Sequence, residues 1–349
     1  MKQILVVDDN LSVLKQISAH LGGEYEVSLA KSGLLALQIC MKEKPDLILL
    51  DVEMPDLDGF DVISRLKQNP CLDRIPVIFL TASSDAAVEV KALEMGARDF
   101  ITKPVEKSIL LHRIELHLRL NSYQAKTEET VTALSDSIAI SFAELIECRD
   151  ENTGGHVIRT SRLVERLGQD LMKNGLFAGE LTLPELRLII RASPLHDIGK
   201  IAISDTVLLK AGRLDDEEFA IMKRHAAIGG EIMERMYRRI PTQHYLRYAA
   251  LVAASHHERY DGKGYPNGLK GDSIPLCGRI MAVADVYDAL MDNRIYRKGM
   301  SHSEAYSIIT GGSGTQFDPR VVDAFENIKD ELAGQYQPAS QEKNKQENQ

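Results

Sequence analysis

At 349 residues the chain is too long for one ordinary domain and suits two or three. Its 44% apolar content can furnish proper cores, while 51 acidic against 42 basic residues leave a net charge of −9, which argues against a nucleic-acid polymer or an anionic membrane as the main partner. No apolar run approaches the roughly 20 residues needed to cross a bilayer, Met1 leads straight into a strand-like start, and the four scattered cysteines form no CxxC, so a cytoplasmic protein with free thiols is the expectation.

From the N-terminus, Gln3 to Val7 is a short apolar run ending in Asp8 and Asp9. Asp46 to Leu50 ends in Asp51, Pro76 to Leu80 ends in Thr81, and a run containing Phe100 and Ile101 ends in Lys103. Helix-length segments separate them, which reads as buried parallel strands in a βαβ array. In such sheets the functional crevice lies at the carboxyl ends of the strands, where these polar residues fall. Helix capping accounts for one or two strand-end aspartates but not for the whole set. Three carboxylates at one edge repel each other, and a hard cation such as Mg²⁺ would relieve this.

These residues carry a resemblance. LLDVEMPDLDGF ending at Phe60, FLTAS at 79–83 and DFITKP at 99–104 resemble the receiver domain of two-component response regulators. The resemblance implies an α/β receiver over 1–122, a doubly wound, flavodoxin-like five-stranded parallel sheet. It implies Asp51 as phospho-acceptor, with Asp8, Asp9, Asp51 and the Glu53 main-chain carbonyl holding Mg²⁺. Thr81 and Lys103 would bond the phosphoryl oxygens, Phe100 would move with them, and a cognate sensor histidine kinase would supply the phosphate.

Next, apolar residues recur at Leu111, Ile114 and Leu118, give way to a polar stretch over 121–130, and resume at Ile138, Phe142, Leu145 and Ile146. An amphipathic helical connector follows, with a linker over 123–140. It suits pairing with the same helix of a second copy in a homodimer; the plainer alternative is a linker lying on its own domain.

From about 141 to 330 the periodicity is helical. Leu186, Ile189, Ile190 and Ser193 form a stripe running into HDIGK at 196–200, where His196, Asp197 and Lys200 are expected within one helical turn. His156 opens another helix. His225 interrupts the stripe of Met222, Gly229, Ile232 and Met236; His256 shares a face with Ala249 and Val252, and His257 follows it; Asp285 and Asp288 end the stripe from Met281. A lone histidine on an apolar stripe is usually a satisfied core residue. Five histidines with two aspartates on separate inward faces instead suit a dinuclear site in a bundle core, with Asp197 offering one oxygen to each ion. Without thiolates, Fe or Mn is expected rather than structural zinc. Beyond 330 the chain turns Gln- and Lys-rich, so 331–349 is expected to be a disordered tail.

HDIGK, RHAAIGGE around His225, HHERYDGKGYP at 256–266 and DVYDAL at 285–290 resemble the HD-GYP subgroup of HD-superfamily phosphohydrolases. The resemblance implies an all-α domain over 141–330 that hydrolyses cyclic di-GMP to pGpG or GMP. His156, His196, Asp197, His225, His256, His257 and Asp285 would be the metal ligands. Asp197 and Lys200 would be catalytic, with Lys200, Gly264, Tyr265, Pro266, Arg294 and Arg297 at the substrate and the Tyr265 loop also meeting diguanylate cyclase domains. Where some members place a carboxylate four residues before the first histidine this chain has Asn152, with Glu151 out of register, so two metals are expected rather than three. Such a centre activates water for in-line attack at phosphorus. Rival readings are a phosphodiesterase for another cyclic dinucleotide, such as cyclic GMP-AMP, and a non-catalytic regulator docking on cyclases.

Overall fold

A computed structural model describes residues 1–55, 57–82, 86–149, 155–292 and 299–335. The chain divides into two compact units between Thr132 and Ala133, inside the segment expected to be a linker. No helix among the described residues is long and apolar enough to cross a membrane.

In the first unit β1 (Gln3–Val7), β2 (Glu26–Ala30), β3 (Leu47–Asp51), β4 (Val77–Thr81) and β5 (Asp99–Thr102) pair in parallel in the order β2-β1-β3-β4-β5. Between them run α1 (Leu11–Leu21), α2 (Gly33–Glu43), α3 (Gly59–Gln68) and α4 (Ala86–Glu94). Helices cover both faces, so β3 and β4 are buried throughout and side chains alternate between two cores. Leu5, Ile48 and Phe79 enter one core; Ile4, Leu49 and Leu80 enter the other. The edge strand β2 buries only Ala30 fully, so its sequence lacks the apolar signature of its neighbours. The cap of α1 is Asn10, which accepts from the Ser12 N–H at 2.9 Å, and the cap of α3 is Asp58. Capping therefore leaves Asp9 and Asp51 available at the strand ends.

The helix α5 (Lys107–Arg149) begins in the first unit and ends in the second. There follow α6 (His156–Lys173), α7 (Leu183–Ala192), α8 (Asp205–Leu208), α9 (Asp216–Arg239), α10 (Tyr245–Ser255), α11 (Leu276–Met291), α12 (His302–Gly311), α13 (Pro319–Asn327) and α14 (Lys329–Gln335). The main core joins Leu167 and Leu171 of α6, Leu186 and Ile189 of α7, Ile280 and Tyr287 of α11, and Phe325 of α13. Leu332 of α14 is buried against it, so ordered chain runs to Gln335 rather than stopping at 330; residues 336–349 of the expected disordered tail lie outside the described residues.

One local expectation is corrected. His196 and Asp197 do not lie within an α-helical turn. Pro194 cannot supply the N–H that would continue α7 beyond Ala192, and the chain tightens into a 3₁₀ turn at Ser193–Leu195 and another at Ile198–Ala202. The HD pair sits at their junction. Gly199 is required there, since a Cβ would lie 2.0 Å from the His225 carbonyl oxygen and 2.6 Å from the Gly229 nitrogen. This close approach brings the HD turn against α9.

Candidate metal centre

At the strand ends of the first unit, carboxylate oxygens of Asp8, Asp9 and Asp51 lie within 4.8 Å of one another. Asp8 and Asp51 are buried, and Lys103 Nζ reaches both, 2.7 Å from Asp8 and 2.8 Å from Asp51. Burial raises the Asp51 pKa, more than the Lys103 ammonium and the donating Glu53 backbone N–H lower it. Burial would lower that of Lys103, but Asp51 and Asp8 raise it overall. Thr81 is buried at the end of β4, and Phe100, on β5, is half-buried against the core. A cleft of about 640 Å³ opens here, lined by Asp9, Glu53, Asp58 and Thr81 among others. Five strand-end residues from distant parts of the sequence thus meet in one place.

The second unit gathers all seven expected ligands into two adjoining groups. His156, His196 and Asp285 form one, and Asp197, His225, His256 and His257 the other; within each, ligand atoms lie within 4.8 Å of one another. Asp197 stands between them. Its Oδ2 is 3.4 Å from His196 Nε2, while its Oδ1 is 3.2 Å from His225 Nε2 and 3.6 Å from His256 Nε2. Asp285 Oδ1 lies 3.5 Å from His156 Nε2 and 3.8 Å from His196 Nε2.

The imidazoles are aimed by their other nitrogens. Nδ1 of His196 meets the Ser193 carbonyl at 3.0 Å, that of His225 the Met222 carbonyl at 2.7 Å, and that of His256 the Val252 and Ala253 carbonyls at 3.1 and 3.0 Å. Carbonyls only accept, so each Nδ1 carries a proton and each Nε2 is turned inward. Nε2 of His196, His225 and His256, and Oδ1 of Asp197, are buried without a hydrogen-bond partner. Orphaned polar atoms at such density are costly unless cations meet them. Imidazole and carboxylate donors without thiolate fit divalent ions.

The electrostatics of the two groups differ. Burial alone would lower the pKa of His196, but Asp197 and Asp285 raise it to about 9, and Asp288 and Asp285 overcome burial to raise that of His156. In the other group burial wins. It lowers the pKa of His256 in spite of Asp197, and that of His257 falls well below the usual imidazole range, with His256 and His225 adding to the effect. Burial would raise the carboxyl of Asp197, but Lys200 and His196 hold it well below the usual carboxylate range. Lys200 Nζ is 2.9 Å from Asp197 Oδ2.

Over the His257 side lies the loop of Gly264, Tyr265 and Pro266. The Tyr265 and His257 rings are 4.7 Å apart, and the Tyr265 N–H donates to the His257 carbonyl at 3.2 Å. Gly264 permits this approach, because a Cβ would lie 2.3 Å from the Arg259 nitrogen. A cleft of about 300 Å³ opens beside it, walled by Phe219, Lys223, His257, Tyr265 and Gln316. Arg294 and Arg297, expected at the substrate, and Glu151 and Asn152 lie outside the described residues.

Three supporting carboxylates escaped the sequence reading as site residues. Asp288, fully buried, accepts from His156 Nδ1 at 2.7 Å and from Arg159 Nε and Nη2 at 2.7 and 2.9 Å. Glu258 accepts from the Asn267 and Leu269 N–H groups at 2.7 and 2.9 Å, which pins the Tyr265 loop. Glu147 is buried with Oε1 3.6 Å from His156 Nε2. Asp288 was legible as the end of the Met281 stripe; Glu258 and Glu147 gave no periodic signal.

Comparison with known proteins matches this division of the chain. A family model described as response regulator receiver domain covers residues 4–115, and one described as HD domain covers 141–321. A probable cyclic di-GMP phosphodiesterase of Vibrio cholerae is 39% identical over 337 residues, covering 92% of this chain and 76% of that protein. The cyclic di-GMP phosphodiesterase response regulator RpfG of Xanthomonas campestris is 37% identical over 353 residues, covering 97% and 91% respectively. A 3'3'-cGAMP-specific phosphodiesterase 2 of Vibrio cholerae is 40% identical over 198 residues, covering 57% of this chain and 35% of that protein. The chain therefore belongs to the response regulators in which a receiver domain is followed by an HD domain, a family of metal-dependent hydrolases.

Proposed function

We propose that this protein hydrolyses cyclic di-GMP at a dinuclear centre in its HD domain, under control of phosphorylation at Asp51. The observation that carries the reading is the division of Asp197, one oxygen toward His196 and the other toward His225 and His256. A carboxylate so divided suits two cations held side by side. His156, His196 and Asp285 would hold one divalent ion, Fe or Mn, and His225, His256 and His257 the other. Such ions supply Lewis acidity toward water and phosphoryl oxygen.

The remaining work falls to the chain itself. Carbonyl-anchored Nδ1 atoms fix the imidazoles before any ligand arrives. Lys200 places a cation beside Asp197, where negative charge gathers on a phosphoryl group under attack. Tyr265 and Phe219 offer aromatic faces to a nucleobase beside the cleft. Each hydrolysis adds one water across a phosphodiester, giving pGpG first and GMP after a second cut.

In the receiver, Mg²⁺ at Asp8, Asp9 and Asp51, with the Glu53 carbonyl, would support phosphorylation by a cognate histidine kinase, and Thr81, Phe100 and Lys103 would respond. The Tyr265 loop is the surface proposed for diguanylate cyclase domains. A second reading, cleavage of cyclic GMP-AMP, is favoured by the likeness to the cGAMP-specific enzyme. Product analysis of the full chain, reconstituted anaerobically with Fe²⁺ or Mn²⁺ and given each dinucleotide separately, tests both. Conversion of cyclic di-GMP to pGpG or GMP is expected; faster turnover of cyclic GMP-AMP would favour the second reading. Binding without turnover by metal-loaded protein would make it a non-catalytic regulator.

A further inference from the structure

Glu147 occupies the last turn of α5 and is 3% exposed. Two features make this a poor place for a carboxylate. Its Oε1 and Oε2 are both buried with no hydrogen-bond partner, and burial raises its pKa more than the nearby His156 and His196 lower it. It also stands at the C-terminal end of a helix, where the backbone dipole presents negative charge. The helix end is nevertheless held firmly. Arg149 donates to the Ile201 carbonyl at 3.2 Å, to that of Ile203 at 3.4 Å and to Asp205 Oδ1 at 2.6 Å, which ties the last turn of α5 to the chain just after the HD turn. Ala143 and Ile146 are buried beside it.

What it faces is the His156 group. Glu147 Oε1 lies 3.6 Å from His156 Nε2, the same nitrogen that stands 3.5 Å from Asp285 Oδ1. Since Asp288 occupies Nδ1 of His156, the nitrogen between Glu147 and Asp285 is the one left for a cation. We infer that Glu147 is a direct ligand of the divalent cation held by His156, His196 and Asp285. The carboxylate sought four residues before His156 is thus supplied from nine residues before it, on the preceding helix. This rests on the dinuclear reading of the centre, which the test below examines separately.

The test is Mn²⁺ binding and thermal unfolding of the full chain, compared with Glu147→Gln. The receiver carboxylates contribute alike to both proteins, so the difference belongs to the HD domain. One Mn²⁺ of the two at the HD centre is expected to bind about tenfold or more weakly in Glu147→Gln, the other remaining unchanged. In metal-free protein the variant should melt no lower than the parent, because Glu147 makes no hydrogen bond that the substitution would break, and its Mn²⁺-induced rise in Tm should be smaller. Equal affinities and equal Mn²⁺-induced rises, with two ions at the HD centre of both proteins, would overturn the role of Glu147 while leaving the dinuclear reading intact. A lower metal-free Tm in the variant with unchanged Mn²⁺ binding would make Glu147 structural and also overturn the proposal. Failure of the parent to bind Mn²⁺ in its HD domain would instead overturn the dinuclear reading.

Discussion

His156 gives one ring nitrogen to Asp288 and turns the other toward His196 and Asp285 in the candidate metal group, and the position of its proton decides what it can bind. The carboxylate of Asp288 accepts from Nδ1, so Nε2 is left as a donor toward a cation, and Arg159 in turn holds Asp288. Asp288→Asn should therefore weaken divalent-ion affinity at this group about 10- to 100-fold, measured by Mn²⁺ titration. Unchanged affinity would show that packing alone orients His156. At this scale several of the expected ligands were legible as polar members of apolar stripes, as His225 is between Met222 and Gly229, whereas His257 stood out only by following His256. Their supports were less so. Glu258 bonds only to backbone N–H groups of a loop, and nothing in its spacing marks it.

Among the elements, α5 departs most from what its sequence suggests. The large apolar residues Ile138, Phe142 and Leu145 mark the apparent inner face, yet they are 48, 56 and 63% exposed, while Ala143, Ile146 and Glu147 are buried. The second unit receives the smaller face, and hydrophobic spacing alone does not tell a core from a docking seam. With Val131 and Leu134 these residues lie on one stripe of α5, as helices paired with a second copy require. Sedimentation equilibrium should show a dimer that Leu134→Glu with Ile138→Glu dissociates; a monomeric parent would contradict the pairing.

The N-terminal part of α5 is fastened by charge. Arg113 and His117 both bond Asp99 of β5, His117 at 2.9 Å. Burial would raise the Asp99 carboxyl, but His117 and Arg113 lower it overall. Since its folded pKa lies below the unfolded value near 3.9, the linkage stabilises the fold above that pH and is lost as pH falls through the folded pKa. The difference in unfolding midpoint between the parent and Asp99→Asn should be constant near neutrality and shrink below about pH 4. A difference that grows with acidification would contradict the sign. The sheet shows where legibility stopped. β1, β3 and β4 were plain as apolar runs, whereas β2, at the edge and interrupted by Glu26 and Ser28, was not. The HD turn was placed in a helix because apolar periodicity continues across Pro194, although the backbone tightens there.

For the whole molecule, a receiver whose Lys103 already bridges Asp8 and Asp51 would have a defined partner to exchange if Asp51 gained a phosphoryl group. Asp51→Asn should abolish phosphate uptake and any response of hydrolysis to a small-molecule phosphodonor, while basal turnover persists. Unaltered control by phosphodonor in that variant would remove Asp51 from the regulatory scheme.

Imidazoles and carboxylates from separate helices converge around Asp197, which would be shared between two cations. The decisive measurement is elemental analysis joined to cyclic di-GMP hydrolysis, on the full chain and on Asp197→Ala reconstituted anaerobically with Fe²⁺ or Mn²⁺. Two transition ions are expected in the parent's HD domain, and in the variant loss of bound metal and at least about a thousandfold loss of turnover, with helical circular dichroism preserved. Full metal content and undiminished hydrolysis in Asp197→Ala would contradict the sharing of Asp197 between two cations.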